Sequence, residues 1–482
     1  MPDIQSSGAD TNAATSTRQA PPPPNRTSFY WRRRLVRAAL LGALGFAVIL
    51  LVAIAILALT HSTPVSYVGA LRGESFPGPD DELFPRTMEL FIGAPLREGN
   101  RVQLMLNGNG TYPSLWSDLR SAEGTITVQL YYSQPGAVAD SMQSILMDRA
   151  RNGVRVYLLL DGFGSRPLGS EWVRTLERAG VSVAWLRPVR WYTLHKASYR
   201  SHVRAVVVDG RIGYTGGFGL ADYWLGAGTS GGEWRETNVR FTGPAVSQLQ
   251  VAFAEAWAEG TGELLTGSAF FPPCTYVVTC SDTTFANAPV PGGNPPPVAV
   301  REAALLHTIP TLGSTTAERF MALSIAAARR TIYVSNSYFV PDADFTALLL
   351  RSAARGVDVR ILTAGDSTDV PTTLHAGRAR YEVLLRGGVR VYEYQPTMMH
   401  AKTLVVDGSW STVGSMNFDN RSMVLNDESN LVVLDEKLGA QLDSLFLHDL
   451  GYAREVTLDE HLRRSWWQRM REVTANLLSR VL

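Results

Sequence analysis

The chain has 482 residues, 45% of them hydrophobic, which is enough for two domain-sized units or one large bilobal unit. Its 45 basic and 44 acidic residues almost cancel, so the overall charge does not indicate a nucleic-acid partner. The only two cysteines, Cys274 and Cys280, are too few for a thiolate metal cluster or a disulfide scaffold.

The N-terminal region combines a polar segment with an apolar one. Residues 1–31 are rich in Pro, Ser, Thr and Ala, which predicts a disordered tail. An arginine cluster follows, and then an uncharged apolar run over 38–60, long enough to be an uncleaved transmembrane helix. Because the arginines flank its N-terminal side, we expect the tail in the cytoplasm and the remaining chain on the outer side of the cell membrane.

From about residue 85 the chain has the pattern of an α/β protein whose elements occur twice. Alternation over 125–131 predicts a strand, and a helix over 139–152 and a buried strand over 154–160 follow. The same order returns as a strand over 331–334, a helix over 345–355 and a strand over 357–362. The sequence therefore predicts one unit at 85–261 and a second at 301–482, which ends in a C-terminal helix.

Three further segments complete this division. The turn residues of Asn107–Gly110 predict a loop, and the Pro/Gly-rich segment 262–300 a linker or a long surface loop. Its cysteines form a disulfide if the unit is exported, or are free thiols in a cytosolic loop. The stretch 458–482 is helix-like and places arginines beside Trp466 and Trp467, as at a membrane interface. Packing of both tryptophans on the second unit is the favoured interpretation, because the anchor already supplies membrane attachment.

A histidine and a cation lie two residues apart in each unit, and therefore on the same face of a strand. In the second unit these are His400 and Lys402, followed by a turn at Asp407. The first unit repeats the spacing 198 residues earlier, at His202, Arg204 and Asp209. Two histidines of this kind suit a two-step displacement at phosphorus, with the cations on the phosphoryl oxygens.

This double pattern resembles the phospholipase D superfamily, whose signature is H-x-K-x4-D followed by G-[SG]-x-N. The second unit matches it in full, whereas the first departs at Arg204, in place of Lys, and at Gly219, in place of Asn. Segments around the motifs are most similar to bacterial cardiolipin synthases, including 234–237, 336–342 and 417–422.

The resemblance implies two α/β/α sandwich units of phospholipase D type, packed with the active site at their interface. It implies His202 as nucleophile and His400 as acid and base, and no metal or other cofactor. Two acids would cross over, so that Glu428 orients His202 and Glu236 orients His400. The implied catalytic motif residues are His202, Arg204, Asp209, Glu236, His400, Lys402, Asp407 and Glu428, of which the two aspartates brace their turns. The implied substrate-binding residues are Gly216, Gly217, Gly414, Ser415 and Asn417.

The expected function is that of a membrane-anchored phosphatidyltransferase of cardiolipin-synthase type. It would move a phosphatidyl group from one phosphatidylglycerol to another through a phosphohistidine and release glycerol. Its expected partners are phospholipid and membrane, with no nucleic acid and no obligate protein partner. The alternatives are a phosphodiesterase that hydrolyses phospholipid or nucleic acid, and an inactive lipid-binding protein, which the two departures in the first unit would allow.

Overall fold

The computed structural model describes residues 26–59, 65–69, 76–189, 191, 198–273, 294–310 and 315–479. The chain divides into residues 1–60 and a globular unit, residues 61–482. The α-helices of the described residues are α1 (Arg26–Leu59), α2 (Leu83–Ile92), α3 (Asn107–Ser121), α4 (Ala137–Arg151), α5 (Gly169–Arg178), α6 (Pro244–Thr261), α7 (Thr316–Ala327), α8 (Ala343–Ala354), α9 (Pro371–Arg386), α10 (Glu436–Leu450), α11 (Leu458–Leu462) and α12 (Trp466–Asn476).

The strands of the first half are β1 (Arg101–Leu106), β2 (Thr125–Leu130), β3 (Arg155–Asp161), β4 (Ser182–Leu186), β5 (Arg200–Ser201), β6 (Ala205–Val208), β7 (Ile212–Thr215), β8 (Trp234–Arg235), β9 (Thr237–Thr242) and β10 (Val298–Ala299). Those of the second half are β11 (Glu302–Thr308), β12 (Thr331–Asn336), β13 (Asp358–Ala364), β14 (Arg390–Tyr394), β15 (Met398–Met399), β16 (Lys402–Val406), β17 (Trp410–Gly414), β18 (Asn426–Leu434) and β19 (Ala453–Val456).

Helix α1 contains a 21-residue stretch, Arg33–Ala53, with a mean hydropathy of 2.5 and exposed side chains. By length and composition it can cross a membrane. Residues 26–31 of the predicted tail are helical, and the rest of the tail lies outside the described residues. The physical reason is that no proline or glycine interrupts the chain between Pro24 and Gly42, so the helix continues through the arginines on the N-terminal side of the apolar run.

The globular unit contains two mixed sheets that share an order of seven strands, to which the first adds β10 at one edge and the second adds β19 at the other. The first runs β10-β1-β9-β7-β6-β2-β3-β4, and the second runs β11-β18-β17-β16-β12-β13-β14-β19. In both, three neighbouring strands are parallel, namely β2-β3-β4 and β12-β13-β14, and the motif strand beside them is antiparallel. The expected α/β fold with two related units is confirmed, and the residue boundaries of the units stay a prediction.

Local sequence explains where the repeated helices begin and end. At the start of α8, the Asp342 carboxylate accepts a hydrogen bond from the Phe345 N–H at 2.8 Å. Gly153 after α4 and Gly356 after α8 have φ values of 87° and 90°, a left-handed conformation that glycine adopts without steric cost. Each helix therefore stops where the next parallel strand must begin.

The two halves share a hydrophobic core and exchange short strands. Buried side chains from both sheets form one core, which includes Val203, Val207, Leu305, Val405 and Leu431. Strand β5 of the first half pairs with the start of β18, and β8 pairs with β15 of the second half. Each motif histidine directly follows one of these exchanged pairs, so the backbone brings it to the opposite half.

The predicted loop at Asn107–Gly110 is wrong, because these residues form the first turn of α3, directly after β1. A β-carbon on Gly108 would lie 2.1 Å from the Trp224 carbonyl oxygen, and one on Gly110 would lie 2.1 Å from Asn294 Oδ1. The glycines thus permit close packing rather than chain reversal, a purpose that local sequence does not reveal.

The C-terminal region also departs from expectation. It forms two helices rather than one, because Ser465 caps α12 with its hydroxyl and interrupts the run after α11. Trp466 and Trp467 are 58% and 61% exposed, so the interpretation that they pack on the second unit is wrong.

Only the ends of the predicted 262–300 linker fall within the described residues, and both pack on the first half. The Phe270 ring contacts Tyr157, and Asn294 Oδ1 accepts a hydrogen bond from the Leu106 N–H at 2.9 Å. The question of a Cys274–Cys280 disulfide lies outside the described residues.

Candidate active site

An open pocket of about 1090 Å³ at the junction of the two halves contains both motif histidines. Residues of both motifs and several aromatic side chains form its walls. The lining residues are Tyr131, Tyr132, Phe163, His202, Arg204, Trp224, Trp234, Tyr338, Asp369, Val370, Thr373, His400, Asn417, Asp419, Arg421, Ser422 and Asn426.

The first histidine, His202, is held from both sides of its ring. Its Nδ1 lies 2.9 and 3.0 Å from the Glu428 carboxylate oxygens, and Arg204 Nη1 lies 3.0 Å from its Nε2. Because a guanidinium can only donate, Nε2 must be the acceptor and the ring proton must be on Nδ1. Burial, and then the Arg204 charge, lower the pKa of His202 to about 4, which keeps the ring neutral. The Nε2 lone pair is therefore that of a nucleophile.

The carboxylate behind His202 is ionised. Burial raises the pKa of Glu428, but His202 and the Ser415 hydroxyl outweigh this effect and lower the pKa below its ordinary value. The Ser415 hydroxyl donates to Glu428 Oε2 at 2.6 Å, and Asn426 Nδ2 donates to Oε1 at 3.3 Å. Both carboxylate oxygens are thus occupied by donors.

The second histidine, His400, has the equivalent geometry but a different charge state. Its Nδ1 lies 2.5 Å from Glu236 Oε2, and Trp224 Nε1 donates to the same oxygen at 3.3 Å. Burial raises the pKa of Glu236 to about 7, and burial followed by the Lys402 charge lowers the pKa of His400. A proton can therefore reside on this pair near neutral pH, as an acid–base group requires.

The two cations of the motif have different surroundings. Lys402 Nζ donates to Ser337 Oγ at 2.7 Å and to the His400 carbonyl oxygen. Ser337 is six residues beyond Thr331 at the start of β12, and six residues beyond Thr125 at the start of β2 is Tyr131. The Tyr131 ring packs edge-on against His202 at 5.0 Å, so the first half has no serine hydroxyl there for a lysine. In the first half, Arg204 instead donates a hydrogen bond to the His202 ring.

We expect Arg204→Lys to lower kcat/KM by about 10- to 100-fold, or roughly 1.4–2.7 kcal/mol of transition-state stabilisation. The charge is retained, but the fixed donor at His202 Nε2 and the bidentate geometry are lost. Steady-state kinetics of both proteins test this, with Arg204→Met as the variant that also removes the charge. Equal activity of wild type and Arg204→Lys would show that Arg204 acts by charge alone.

The pH dependence should report Lys402. Burial, opposed by the attraction of Glu236, lowers the pKa of Lys402 to about 7, so the ammonium is present below pH 7 and is lost above it. Because kcat/KM reports the free enzyme, and the proton on the Glu236–His400 pair is also lost above about pH 7, we expect kcat/KM to fall by up to about a hundredfold per pH unit on the alkaline side. Lys402→Arg, which copies the residue at position 204, keeps its charge at high pH, so kcat/KM of this variant should fall only about tenfold per pH unit. A slope equal to that of the wild type would show that Lys402 does not contribute to this limb.

The motif aspartates lie at the far ends of the motif strands, away from the pocket. Asp209 accepts hydrogen bonds from the N–H groups of residues 123–125, and Asp407 accepts them from those of residues 329–331, at 2.7–3.0 Å. Their φ values are 52° and 55°, as their turns require. Each aspartate ties its turn to the start of the neighbouring strand, which agrees with a bracing role.

The small residues of the motif make room for the acids. A β-carbon on Gly217 would lie 2.3 Å from the Glu236 carboxylate, and the Gly217 N–H donates to Asn238 Oδ1 at 2.9 Å. The N–H of Gly217, which the resemblance implies as a substrate-binding residue, is therefore already occupied within the protein. A β-carbon on Gly216 or Gly414 would likewise lie 2.1–2.3 Å from Asn238 or Asn430. With Ser415 on Glu428, these four residues hold the acid-bearing strands rather than line the pocket.

The missing asparagine at Gly219 has a structural explanation. A β-carbon there would lie 2.6 Å from the Trp224 ring and 2.7 Å from the Tyr132 carbonyl oxygen. The Trp224 ring occupies this space and packs 5.6 Å from the His400 ring. The first half therefore contributes an indole where the motif would supply an amide.

Restoring the asparagine by Gly219→Asn should impair the protein instead of improving it. Trp224 must shift, and overpacking of this kind typically costs about 1–3 kcal/mol. We expect a lower Tm, and a lower kcat because the Trp224 hydrogen bond to Glu236 is disturbed. Thermal unfolding and initial rates test this. A Tm at or above that of the wild type would show that the pocket has room for the side chain.

Asn417, of the predicted set, does line the pocket, and its Oδ1 is buried without a hydrogen-bond partner. The same holds for Asn426 Oδ1, and Ser422 lines the pocket beside Glu428. Buried polar atoms without partners at one pocket indicate a polar ligand, such as the hydroxyls of a head group. Sequence reasoning missed Asn426 and Ser422, and their only signal was proximity to the second motif and Glu428. Among the described residues, no cluster of three His, Cys, Asp or Glu side chains could hold a metal ion.

Comparison with known proteins agrees with this geometry. Residues 115–257 and 322–450, more than half of the chain, match the family model described as cardiolipin synthase, PLD-like domain. A cardiolipin synthase of Halalkalibacterium halodurans is 29% identical over 406 residues, which cover 84% of this chain and 77% of that protein. Cardiolipin synthase A of Pseudomonas syringae pv. syringae is 31% identical over 399 residues, or 82% and 78% of the two chains.

A solved structure shows the same fold at low identity. The phosphatidylserine synthase of Haemophilus influenzae superposes with a TM-score of 0.60 at 12% identity, over 83% of this chain and 100% of that one. The family match and the relatives above confirm the resemblance inferred from the two motifs. This chain belongs to the cardiolipin synthase family of phospholipase D-like proteins.

Proposed function

We propose that this protein is a membrane-anchored phosphatidyltransferase that moves a phosphatidyl group from one phosphatidylglycerol to another and releases glycerol. The family and the names of its relatives support the reaction class. The observation that carries the mechanism is the contrast between the two histidines of one pocket. His202 is neutral with its Nε2 lone pair directed at Arg204, and His400 is paired with an acid whose pKa is about 7.

In the first step, His202 Nε2 attacks the phosphorus of the donor lipid and forms a P–N bond. The bond from phosphorus to the glycerol oxygen breaks, and His400 gives its proton to that oxygen. Arg204 releases Nε2 and, with Lys402, neutralises the charge that develops on the phosphoryl oxygens. Glu428 stabilises the positive charge that builds up on the His202 ring.

In the second step, the same groups act in reverse. His400, now without its proton, takes one from the terminal glycerol hydroxyl of a second phosphatidylglycerol. That oxygen attacks phosphorus, and the P–N bond breaks to regenerate His202. If water takes the place of the second lipid, the product is phosphatidic acid.

We infer a topology with the N-terminus in the cytoplasm and the globular unit on the outer side of the membrane. The support is the cluster Arg32, Arg33, Arg34 and Arg37 on the N-terminal flank of the apolar run, together with the lack of charge within it. A protease site engineered into the exposed segment 229–232 tests this inference, because protease added to intact cells should cleave it if the globular unit is on the outer side.

The decisive experiment uses the purified full chain and phosphatidylglycerol labelled in both glycerol moieties. Equal amounts of cardiolipin and free glycerol are the expected products, and His202→Ala should form neither. Phosphatidic acid alone would indicate a hydrolase. Degradation of single-stranded DNA without lipid turnover would indicate a nuclease, and lipid binding without any product would indicate an inactive lipid-binding protein.

A further inference from the structure

Helix α12 carries an apolar stripe that the described residues leave uncovered. Trp466, Met470, Val473 and Leu477 follow one another at spacings of three and four residues, so they lie on one face of the helix. Their exposed fractions run from 53% to 78%, and Trp467, 61% exposed, stacks on Trp466 at 3.6 Å. An exposed run of large apolar side chains on a water-soluble surface indicates a contact surface.

The opposite face of α12 is anchored to the protein. Ala475 is buried against Ala376 of α9 and Val340, and the carboxylate of Glu472 is buried beside Arg464 at 2.9 Å. The stripe therefore has a fixed orientation, since the helix cannot rotate to bury its tryptophans without losing these contacts.

Positive charge borders the stripe on both sides. At 100° per residue, Arg469 lies about 40° beyond Val473 on one side and Arg471 about 40° beyond Trp467 on the other, and both arginines are exposed. Arg463 is exposed just before the helix, whereas the acid of the helix, Glu472, points inward. Exposed tryptophans bordered by arginines are typical of a helix that lies in the head-group region of a bilayer.

The helix also lies next to the active-site pocket. It packs on α9, and the residues at the start of α9, Val370 and Thr373, line the pocket that contains both histidines. Phe163, on the pocket wall, is 61% exposed. A membrane seated on α12 would thus lie close to the entrance through which a lipid head group must pass.

We propose that α12 is a lipid-docking helix, which binds the surface of an anionic phospholipid bilayer through its tryptophans and arginines. The charge on its edges selects anionic head groups, and the apolar stripe enters the upper acyl region. The docking itself does not depend on catalysis. Its consequence, that lipid enters the pocket from the membrane on which α12 lies, rests on the proposed function.

Tryptophan quenching in nanodiscs tests the docking without any need for turnover. The full chain is reconstituted in discs of phosphatidylglycerol and phosphatidylcholine whose acyl chains are brominated near the head group. We expect stronger quenching in the wild type than in Trp466→Phe/Trp467→Phe, because only the wild type places these two tryptophans beside the brominated chains. The variant retains the other nine of the 11 tryptophans, whose quenching is the background. Equal quenching of the two proteins would overturn the proposal.

Charge-matched variants test the role of the arginines. Arg469→Glu/Arg471→Glu should lose the additional quenching, whereas Arg151→Glu/Arg174→Glu, with the same charge change on exposed sites of α4 and α5, should retain it. Circular dichroism and the unfolding midpoint verify that each variant is folded. If the tryptophans become buried with rising protein concentration in detergent, and not with lipid, the stripe binds a second copy of the chain and the proposal fails.

Discussion

His202→Ala is expected to lower kcat by about 10⁴-fold or more and to abolish the covalent adduct, whereas His400→Ala should lower turnover but preserve the adduct. The reason is the difference in protonation between the two rings. Only His202 has its Nε2 fixed as an acceptor, by a guanidinium on one side and an ionised carboxylate on the other. Loss of His400 removes the acid for the leaving alcohol and the base for the incoming one.

A donor with a good leaving group separates these roles. With a p-nitrophenyl ester of the phosphatidyl group, departure needs no proton, so His400→Ala should release one equivalent of nitrophenolate and then stop. Mass spectrometry after an alkaline quench, which preserves phosphohistidine, should find the adduct on His202. His448→Ala, on the exposed surface of α10, is the control and should behave as the wild type. An adduct on His400 would reverse the assignment.

Spacing alone predicted much of this site, because each motif depends on residues that are close together in the sequence. Alternation on a strand puts a histidine and a cation on one face, and the 198-residue repeat implied that this face occurs twice. The crossing of the acids was implied only by resemblance. It follows physically from the exchanged strands, since β5 pairs beside Glu428 and β15 pairs beside Glu236.

Features that depend on distant contacts could not be predicted in this way. Gly217 and Gly219 are small because Glu236 and Trp224 fill the space beside them, and neither neighbour is evident from local sequence. The exposure of Trp466 and Trp467 has the same origin. An amphipathic helix specifies two faces, but only the packing of Ala475 decides which of them is buried.

The two halves differ most where they hold their cations, and this difference favours a division of labour. In the first half, Tyr131 stands at the position equivalent to Ser337, and Arg204 fixes the tautomer of His202. In the second half, Lys402 donates to Ser337 and to the His400 carbonyl oxygen, and the hydrogen bonds of the described residues include none from Lys402 to the His400 ring. Arg204, which replaces the motif lysine in the first half, therefore suits a nucleophilic histidine. Lys402, which fits the motif in the second half, suits an acid–base histidine.

Glu428→Gln is expected to lower kcat by about 10³- to 10⁴-fold with a small change in KM. The two carboxylate oxygens of Glu428 accept from His202, Ser415 and Asn426. A glutamine has one oxygen, so one of its N–H groups must face a donor whichever way the amide turns. If it faces His202, the ring proton moves to Nε2, opposite the Arg204 donor, and the nucleophile is lost. Asparagine in place of the acid of a catalytic triad has an effect of about 10⁴ for this reason.

Glu236→Gln is the matched variant in the other half, and it should be much less severe. Burial already raises the pKa of Glu236 to about 7, so a neutral amide resembles a form that the wild type populates near that pH. We expect a loss of about 10- to 100-fold, mainly in the second step, so that the adduct accumulates in Glu236→Gln and not in Glu428→Gln. Single-turnover kinetics measure the two steps separately. A larger loss for Glu236→Gln, confined to adduct formation, would place the nucleophile on the other half of the site.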